Sequence, residues 1–427
     1  MKRLSVFVVL ICFVCICRAT DFISVDGSHL YRDASGRPYY FIGANFWYGA
    51  WIAADEDSVT RNNMSAELDA LKSLGVDNLR IALFPELPDD TVLSGFTIER
   101  SADRQHREKL LTGLDLLLME LDKRDMVATF CFVSPLDLYP ELVGGWCSSA
   151  MTGDAGGERD EIEGQKAFSM HFLQCKDCQD KYFSYMDSII CRTNIYNNQY
   201  YKSSPTLMSW QIDDGLALFG RDWEQLYWTW INRLAAYIKR QDGNHLLSFG
   251  LGRTQMDETS VSICERLVTN LHIDYVSFSL FPLEWDWASR SNLWTSLPNT
   301  YLQSNAYIDS FERLAQKYDK PLVLEAFGFP RDRSYLLPFT PTSARDAFYN
   351  FIISHVVKNE QSQGVLAGCY FWGWAGSGRP SRNGKQVEKK YPADYRKDSQ
   401  GLYSVYDADS TTISCIRRGV RQVISVR

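Results

Sequence analysis

The stretch KPLVLEAFGFPRD, Lys320 to Asp332, decides how this chain is read. Pro321 to Leu324 is short, apolar and partly β-branched, and Gly328 and Pro330 end the run, so it reads as a buried strand entering a loop. A parallel strand buried on both faces has this continuous apolar character, and its C-terminal tip is where such folds place reactive side chains. Two residues compete for that tip, Glu325 and Ala326, and only one of them is an acid.

Working outward, seven more runs of the same kind appear: residues 39–47, 78–84, 126–132, 207–214, 245–251, 275–281 and 366–374. Between them lie stretches of helical periodicity at 64–75, 106–124, 222–241 and 306–318; in the first, Leu68, Leu71 and Leu74 share one face. Eight strands alternating with helices predict an α/β fold, a single-domain (β/α)8 TIM barrel with loop insertions on its C-terminal face. A doubly wound sheet is the alternative, but no Gly-x-Gly-x-x-Gly follows the first strand. Insertions at 133–177 and 282–300 are expected to wall the mouth.

Residues 1–20, MKRLSVFVVLICFVCICRAT, place two basic residues before a short apolar core. This pattern predicts a signal peptide over 1–19, a barrel over 20–427, and export to periplasm, cell surface or medium. A lipid anchor at Cys12, Cys15 or Cys17 is the alternative, and no segment is long enough to span a bilayer. Losing Lys2, Arg3 and Arg18 moves the formal charge from −7 to −10. Such an acidic chain is a poor nucleic-acid ligand, since phosphates reward clustered positive charge, and a neutral glycan suits it better. Eight cysteines remain: Cys131, Cys147, Cys175, Cys178, Cys191, Cys264, Cys369 and Cys415. CKDC at 175–178 lacks a thioredoxin-like context or further zinc ligands, so it predicts a local disulfide or two plain thiols. No cofactor and no metal are expected, and oligomeric state is not encoded in any motif.

Many of the 12 tryptophans fall at or beyond strand ends: Trp47, Trp51, Trp146, Trp210, Trp285, Trp287, Trp372 and Trp374. Each alone reads as packing, but clustered on one face they suggest a saccharide groove, because flat rings stack on the apolar faces of sugars.

Five ordered motifs then carry a resemblance: YYFIGANFWYG (39–49), LGVDNLRIALFPE (74–86), PTLMSWQIDDGLALFG (205–220), KPLVLEAFGFPRD and GVLAGCYFWGW (364–374). Together they resemble glycoside hydrolase family 5, closest to the endo-β-1,4-mannanase branch of gut Bacteroidetes, from about residue 22 to the end. The resemblance implies a (β/α)8 barrel and retaining hydrolysis of β-mannan by one glutamate after strand 4 and another at the end of strand 7. Where that branch has Trp-Gln-Ile-Gly-Asn-Glu-Pro-Arg, this chain has Trp210 to Ala217, so the acid/base falls on Gly215 and the substrate-binding asparagine on Asp214. Where the branch has Leu-Glu-Glu-Phe-Gly, Ala326 replaces the nucleophile and Glu325 remains. A cleft histidine becomes Ser279, and the strand 3 loop lacks its paired asparagines.

A retaining glycosidase needs two carboxyls about 5 Å apart. Alternation along a strand predicts that Glu325 points away from Ala326, toward the helices. Arg80 matches an arginine that supports the nucleophile; an ion pair with Glu325 or Asp214 is its other role. Trp372 matches the tryptophan beneath the sugar at the cleavage point. Expected substrate contacts are thus Trp47, Arg80, Trp210, Asp214, Ser279, Trp285, Trp372 and Trp374, with a β-linked, mannan-like oligo- or polysaccharide as the partner. Three readings remain open: a glycan-binding pseudoenzyme, a glycoside hydrolase with relocated carboxylates (Asp214 with Glu86, Glu284 or Glu325), and a barrel that binds no sugar. Asp213 and Asp286 read as solvated loop charges.

Overall fold

The computed structural model describes residues 22–32, 35–54, 58–83, 104–133, 169–213, 223–251, 264–379, 393–394 and 399–424, with backbone alone at 58–62, 104–107, 133 and 213. Eight strands make one parallel sheet: β3 (Phe41–Asn45), β4 (Asn78–Leu83), β5 (Val127–Val133), β6 (Leu207–Asp213), β7 (Leu246–Gly250), β8 (Val276–Leu280), β9 (Leu322–Phe327) and β10 (Leu366–Phe371). Their order, β7-β6-β5-β4-β3-β10-β9-β8, brings the two ends together. At that seam Asp274 N donates to Leu247 O (2.8 Å) and Ser277 Oγ to Phe249 O (2.6 Å). This is the expected (β/α)8 barrel.

Before it, β1 (Ser24–Asp26) and β2 (His29–Tyr31) form an antiparallel hairpin. Its Leu30, with Ile23 and Tyr39, packs onto Phe41, Val127, Leu246, Tyr275, Val323 and Tyr370, which plug the lumen at the strand N-termini. Polar groups lie above this floor: Tyr370 Oη donates to Asn78 Oδ1 (2.8 Å), and Ser209 Oγ lies 3.0 Å from Thr129 Oγ1 and 2.8 Å from Tyr275 Oη. Gly43 of β3 lets Tyr370 into this space, since a Cβ there would lie 2.5 Å from its ring and 2.6 Å from Asn78 O.

Around the barrel run α1 (Gly49–Ala54), α2 (Ser58–Leu74), α3 (Arg104–Asp122), α4 (Lys176–Ile190), α5 (Glu224–Gln241), α6 (Leu293–Lys317), α7 (Ser343–Ser362) and α8 (Ser410–Ile424). Two differences from the periodicity stand out. The helix expected at 306–318 begins at Leu293, capped by Asn292 accepting from Thr295 N, so much of the insertion expected at 282–300 is helix. In α7 the buried face includes Arg345 and Asn359 beside Phe348, Ile352 and Val356, which blurs its apolar stripe. Short strands β11 (Trp374–Gly376) and β12 (Val405–Tyr406) follow the barrel. No helix among the described residues is long and apolar enough to cross a membrane.

Candidate active site

At the C-terminal ends of the strands, β9 departs from regular alternation. Between Leu324 and Ala326 it advances two residues while β8 advances one, from Phe278 to Ser279. Against β10 it advances three, Leu324 to Phe327, while β10 advances two, Cys369 to Phe371. One extra residue is a β-bulge, which puts consecutive side chains on one side of a strand. Val323 belongs to the lumen floor. Phe327 packs outward on Tyr349 of α7, with ring centroids 4.9 Å apart. Glu325 and Ala326 between them both turn to the lumen.

The expectation that Glu325 faces the helices is therefore overturned; alternation holds only in an unbulged strand. Glu325 is 1 % exposed. Its Oε1 accepts from Leu251 N (3.0 Å) and Ser279 Oγ (3.1 Å), and its Oε2 accepts from Gln211 Nε2 (3.0 Å). Gln211 extends the network: Nε2 also donates to Ser248 Oγ (3.0 Å) and Ser277 Oγ (3.1 Å), while Oε1 accepts from Arg80 Nε (2.6 Å) and Cys131 Sγ (3.1 Å). Arg80 Nη1 donates to Asn45 Oδ1 (3.2 Å), and Asn45 Nδ2 to Glu325 O (3.1 Å). Gln211 thus links guanidinium to carboxylate. Among the described lumen side chains, Glu325 is the one carboxylate. Burial foremost, then the Glu325 charge, pushes the neighbouring Cys264 thiol up; burial, Cys264 and Glu325 do the same to the Tyr307 phenol.

The tryptophans divide. Phe371 packs outward near Tyr349, so Trp372 follows it into the mouth, where its ring meets Phe281 edge-on (6.3 Å) and its backbone N–H donates to Phe327 O (2.7 Å). Trp210 does not join it. Its ring stacks on Phe132 (5.5 Å) and Nε1 donates to Asp242 Oδ2 (2.7 Å), which corrects its assignment as a substrate contact: Gln211, the next residue, takes the lumen side. Trp47 Nε1 donates to Ala393 O (2.8 Å) and its ring meets Trp51 of α1, while Trp374 Nε1 donates to Glu67 Oε2 on α2 (2.9 Å). Both are anchored in packing. Trp285 clusters with Trp287 and Tyr307 against α6 (4.9 and 5.2 Å), and Glu284 and Asp286 of that loop are exposed. All five substrate-contact tryptophans are under a tenth exposed. Gly215, Asp214, Glu86, Trp146 and the strand 3 loop lie outside the described residues, as does the side chain of Asp213.

Asn45, Gln211 and Leu251 N were not singled out in the sequence. Gln211 is legible once Trp210 is known to pack outward; Leu251 N is a backbone donor and leaves no signal. Away from the mouth, the CKDC pair is neither a local disulfide nor two plain thiols. Cys178 is disulfide-bonded, and Cys175 is free. With His171 they form the one described group whose donor atoms are close enough for a metal, within 4.8 Å, but a disulfide sulfur is not a thiolate ligand.

Solved structures share this fold. The family 5 mannosidase of Rhizomucor miehei has a TM-score of 0.79 and 24 % identity over 95 % of this chain and 98 % of its own. A point variant of that mannosidase, in complex with mannosyl-fructose, aligns equally well. Curated relatives include mannan endo-1,4-β-mannosidase 7 of Arabidopsis thaliana, 21 % identical over 79 % of this chain and 74 % of its own, and mannan endo-1,4-β-mannosidase 4 of Solanum lycopersicum, 23 % identical over 84 % and 85 %. The model of the glycoside hydrolase family 5 β-mannosidase-like group matches residues 20–427, and this chain belongs to that family.

Proposed function

We propose that this mannanase-like barrel binds a β-linked glycan of the mannan type and hydrolyses it poorly or not at all. The observation that carries this reading is the bulged tip of β9. The lumen position next to Glu325 is Ala326, which offers no oxygen, and Glu325 is already held by Leu251 N, Ser279 and Gln211. A covalent two-step cycle requires one carboxyl to attack and another to protonate the leaving oxygen. The motif alignment gives Gly215 as the second loss. The substrate class follows from relatives named mannan endo-1,4-β-mannosidases and from mannosyl-fructose bound by the Rhizomucor protein. By its motif Trp372 takes the sugar-platform position, while Arg80, Asn45 and Gln211 hold Glu325 in the lumen. On the leader and motifs respectively, we place the protein outside the cytoplasm and in the Bacteroidetes endo-mannanase branch.

Titration calorimetry with mannan, glucan and xylan oligosaccharides, run beside reducing-end release, tests this. Saturable binding to mannooligosaccharides without turnover is expected; ordinary turnover by the unmodified protein would sink it. The inward turn of Glu325 favours one second reading, a hydrolase in which Glu325 works with Asp214. That reading requires turnover that Glu325→Gln abolishes.

A further inference from the structure

The loop after β8 carries Trp285, Asp286 and Trp287 in succession. With Asp286 in the left-handed region (φ 56°), the two indoles fall in one cluster, their centroids 4.9 Å apart. Trp285 is buried, whereas Trp287 is half-buried. The backbone of Trp287 is fixed from two sides. Its N–H donates to Pro282 O (2.9 Å), and Asn299 Nδ2 and Thr300 Oγ1 of α6 both donate to its carbonyl (3.0 Å each). Its ring meets Tyr307 of α6 edge-on at 5.6 Å.

Trp287, Tyr307, Phe311 and Cys264 line a groove of about 480 Å³ between α6 and residues 264–265. That volume lies within the roughly 300–1,000 Å³ of small-molecule clefts. The groove sits on the outer wall of the barrel. Phe278 of β8 packs onto Tyr307 (6.0 Å) and Phe311 (4.7 Å), while its neighbours Ser277 and Ser279 face the lumen, where they meet Gln211 and Glu325. Trp287 Nε1 and Tyr307 Oη have no hydrogen-bond partner among the described residues, and neither atom is sealed from solvent. Ser310 Oγ donates to Tyr307 O (2.7 Å) and keeps its lone pairs free to accept; Gln303 stands exposed beside it. At the C-terminal end of α6, Lys317 is paired with Glu265 (2.5 Å), which also accepts from Tyr318 Oη (2.8 Å), and Arg313 is exposed to water. Aromatic rings with N–H and O–H donors at their edges suit a sugar, whose C–H face packs on the ring while its hydroxyls accept.

We propose that this groove is a second carbohydrate site, outside the mouth, that takes a short stretch of β-linked, mannan-type chain. One sugar stacks on Trp287, and Trp287 Nε1 and Tyr307 Oη donate to its hydroxyls. The proposal rests on the glycan class assigned above, not on occupation of the mouth. The backbone ties of Trp287 set the platform before a sugar arrives, so little ordering entropy is lost on binding. A polysaccharide long enough to reach both sites is held at two points, which raises retention without a tighter contact at either.

Fluorine NMR of the full protein labelled with fluorotryptophan tests this. The Trp287 and Trp372 resonances are assigned from Trp287→Phe and Trp372→Phe, and the wild type is titrated with mannotetraose and, as an α-linked control, maltotetraose. The Trp287 resonance should shift saturably with mannotetraose. Ala306→Arg, at an exposed lining position of α6, should weaken that response by about tenfold or more and leave the Trp372 response in place. A Trp287 resonance that stays still through millimolar mannotetraose, a shift untouched by Ala306→Arg, or an equal response to maltotetraose would overturn the proposal. Movement of Trp372 alone refutes the groove and keeps the mouth as the glycan site. Movement of Trp287 alone supports the groove and refutes binding at the mouth.

Discussion

Replacing Glu325 by Gln changes one heavy atom and should cost more than its size suggests. In the wild type, Leu251 N and Ser279 Oγ donate to Oε1, and Gln211 Nε2 donates to Oε2. A glutamine in the same rotamer can offer its carbonyl to the first pair, which then leaves its NH2 opposite the Gln211 NH2 at 3.0 Å. Gln211 cannot relieve the clash by turning over, because its Oε1 holds Arg80 Nε at 2.6 Å and receives Cys131 Sγ. The variant therefore loses one buried hydrogen bond, faces donor to donor, and removes a negative charge from the network that contains Arg80. Each orphaned buried group costs about 1–3 kcal/mol, so the total should be about 2–4 kcal/mol. Unfolding entropy near 2.1 cal/mol/K per residue over about 400 residues makes that a Tm fall of roughly 2.5–5 °C. Differential scanning calorimetry reads it. The double variant Glu325→Gln with Gln211→Glu restores this one match, since the introduced carboxylate accepts both from Arg80 and from the introduced amide, but gives up the donations to Ser248 and Ser277, and should recover part of the loss. A single variant within about half a degree of wild type, or a double variant no better than the single, would refute the inward network.

Gly215→Glu with Ala326→Glu should give measurable reducing-end release from mannooligosaccharides, and neither single change should; no product from a folded, glycan-binding double variant would mean that more than two carboxyls is missing. Lys320, lowered to about 8 by burial against the pull of Asp274, binds its proton less firmly when folded than the roughly 10.4 of a free lysine. Between those values the unfolded chain holds more protons, so this group's contribution to stability rises with pH from about 8 to 10.4 and is least favourable below 8. Lys320→Met should lack that rise in a Tm-against-pH series, and parallel curves would contradict it. Gly43→Ala forces a Cβ to within 2.5 Å of the Tyr370 ring and should cost about 3 kcal/mol or yield no soluble protein; a Tm unchanged by calorimetry would show that the floor can yield. Trp210→Phe removes the bond to Asp242 and should lower Tm by about 1–3 °C with glycan affinity unchanged; a tenfold weaker titration would return Trp210 to the binding site.

The barrel was legible because its strands are apolar on both faces and its helices, for the most part, are not. That pattern follows from burial and needs no knowledge of register. The chemistry at the mouth was less legible, because it depends on which way single side chains point. Trp210 and Gln211 are neighbours of opposite direction, and the larger ring drew attention to the wrong one. Glu325 fails for a different cause: a bulge is a property of three strands pairing at once, and no spacing within LVLEAFG announces it. The start of α6 was hidden by Pro298, six residues into a helix that continues through it. In α7, buried Arg345 and Asn359 imitate a solvent face.

The bulge of β9 also separates two duties that a regular strand would force onto residues two positions apart. Glu325 ties the end of β7, through Leu251 N, to Ser279 of β8, so it fastens the barrel at the seam where the two end strands of the sheet meet. Its neighbour Ala326 holds nothing together. A change at position 326 therefore leaves the tie between β7 and β8 in place, whereas a change at Glu325 removes it.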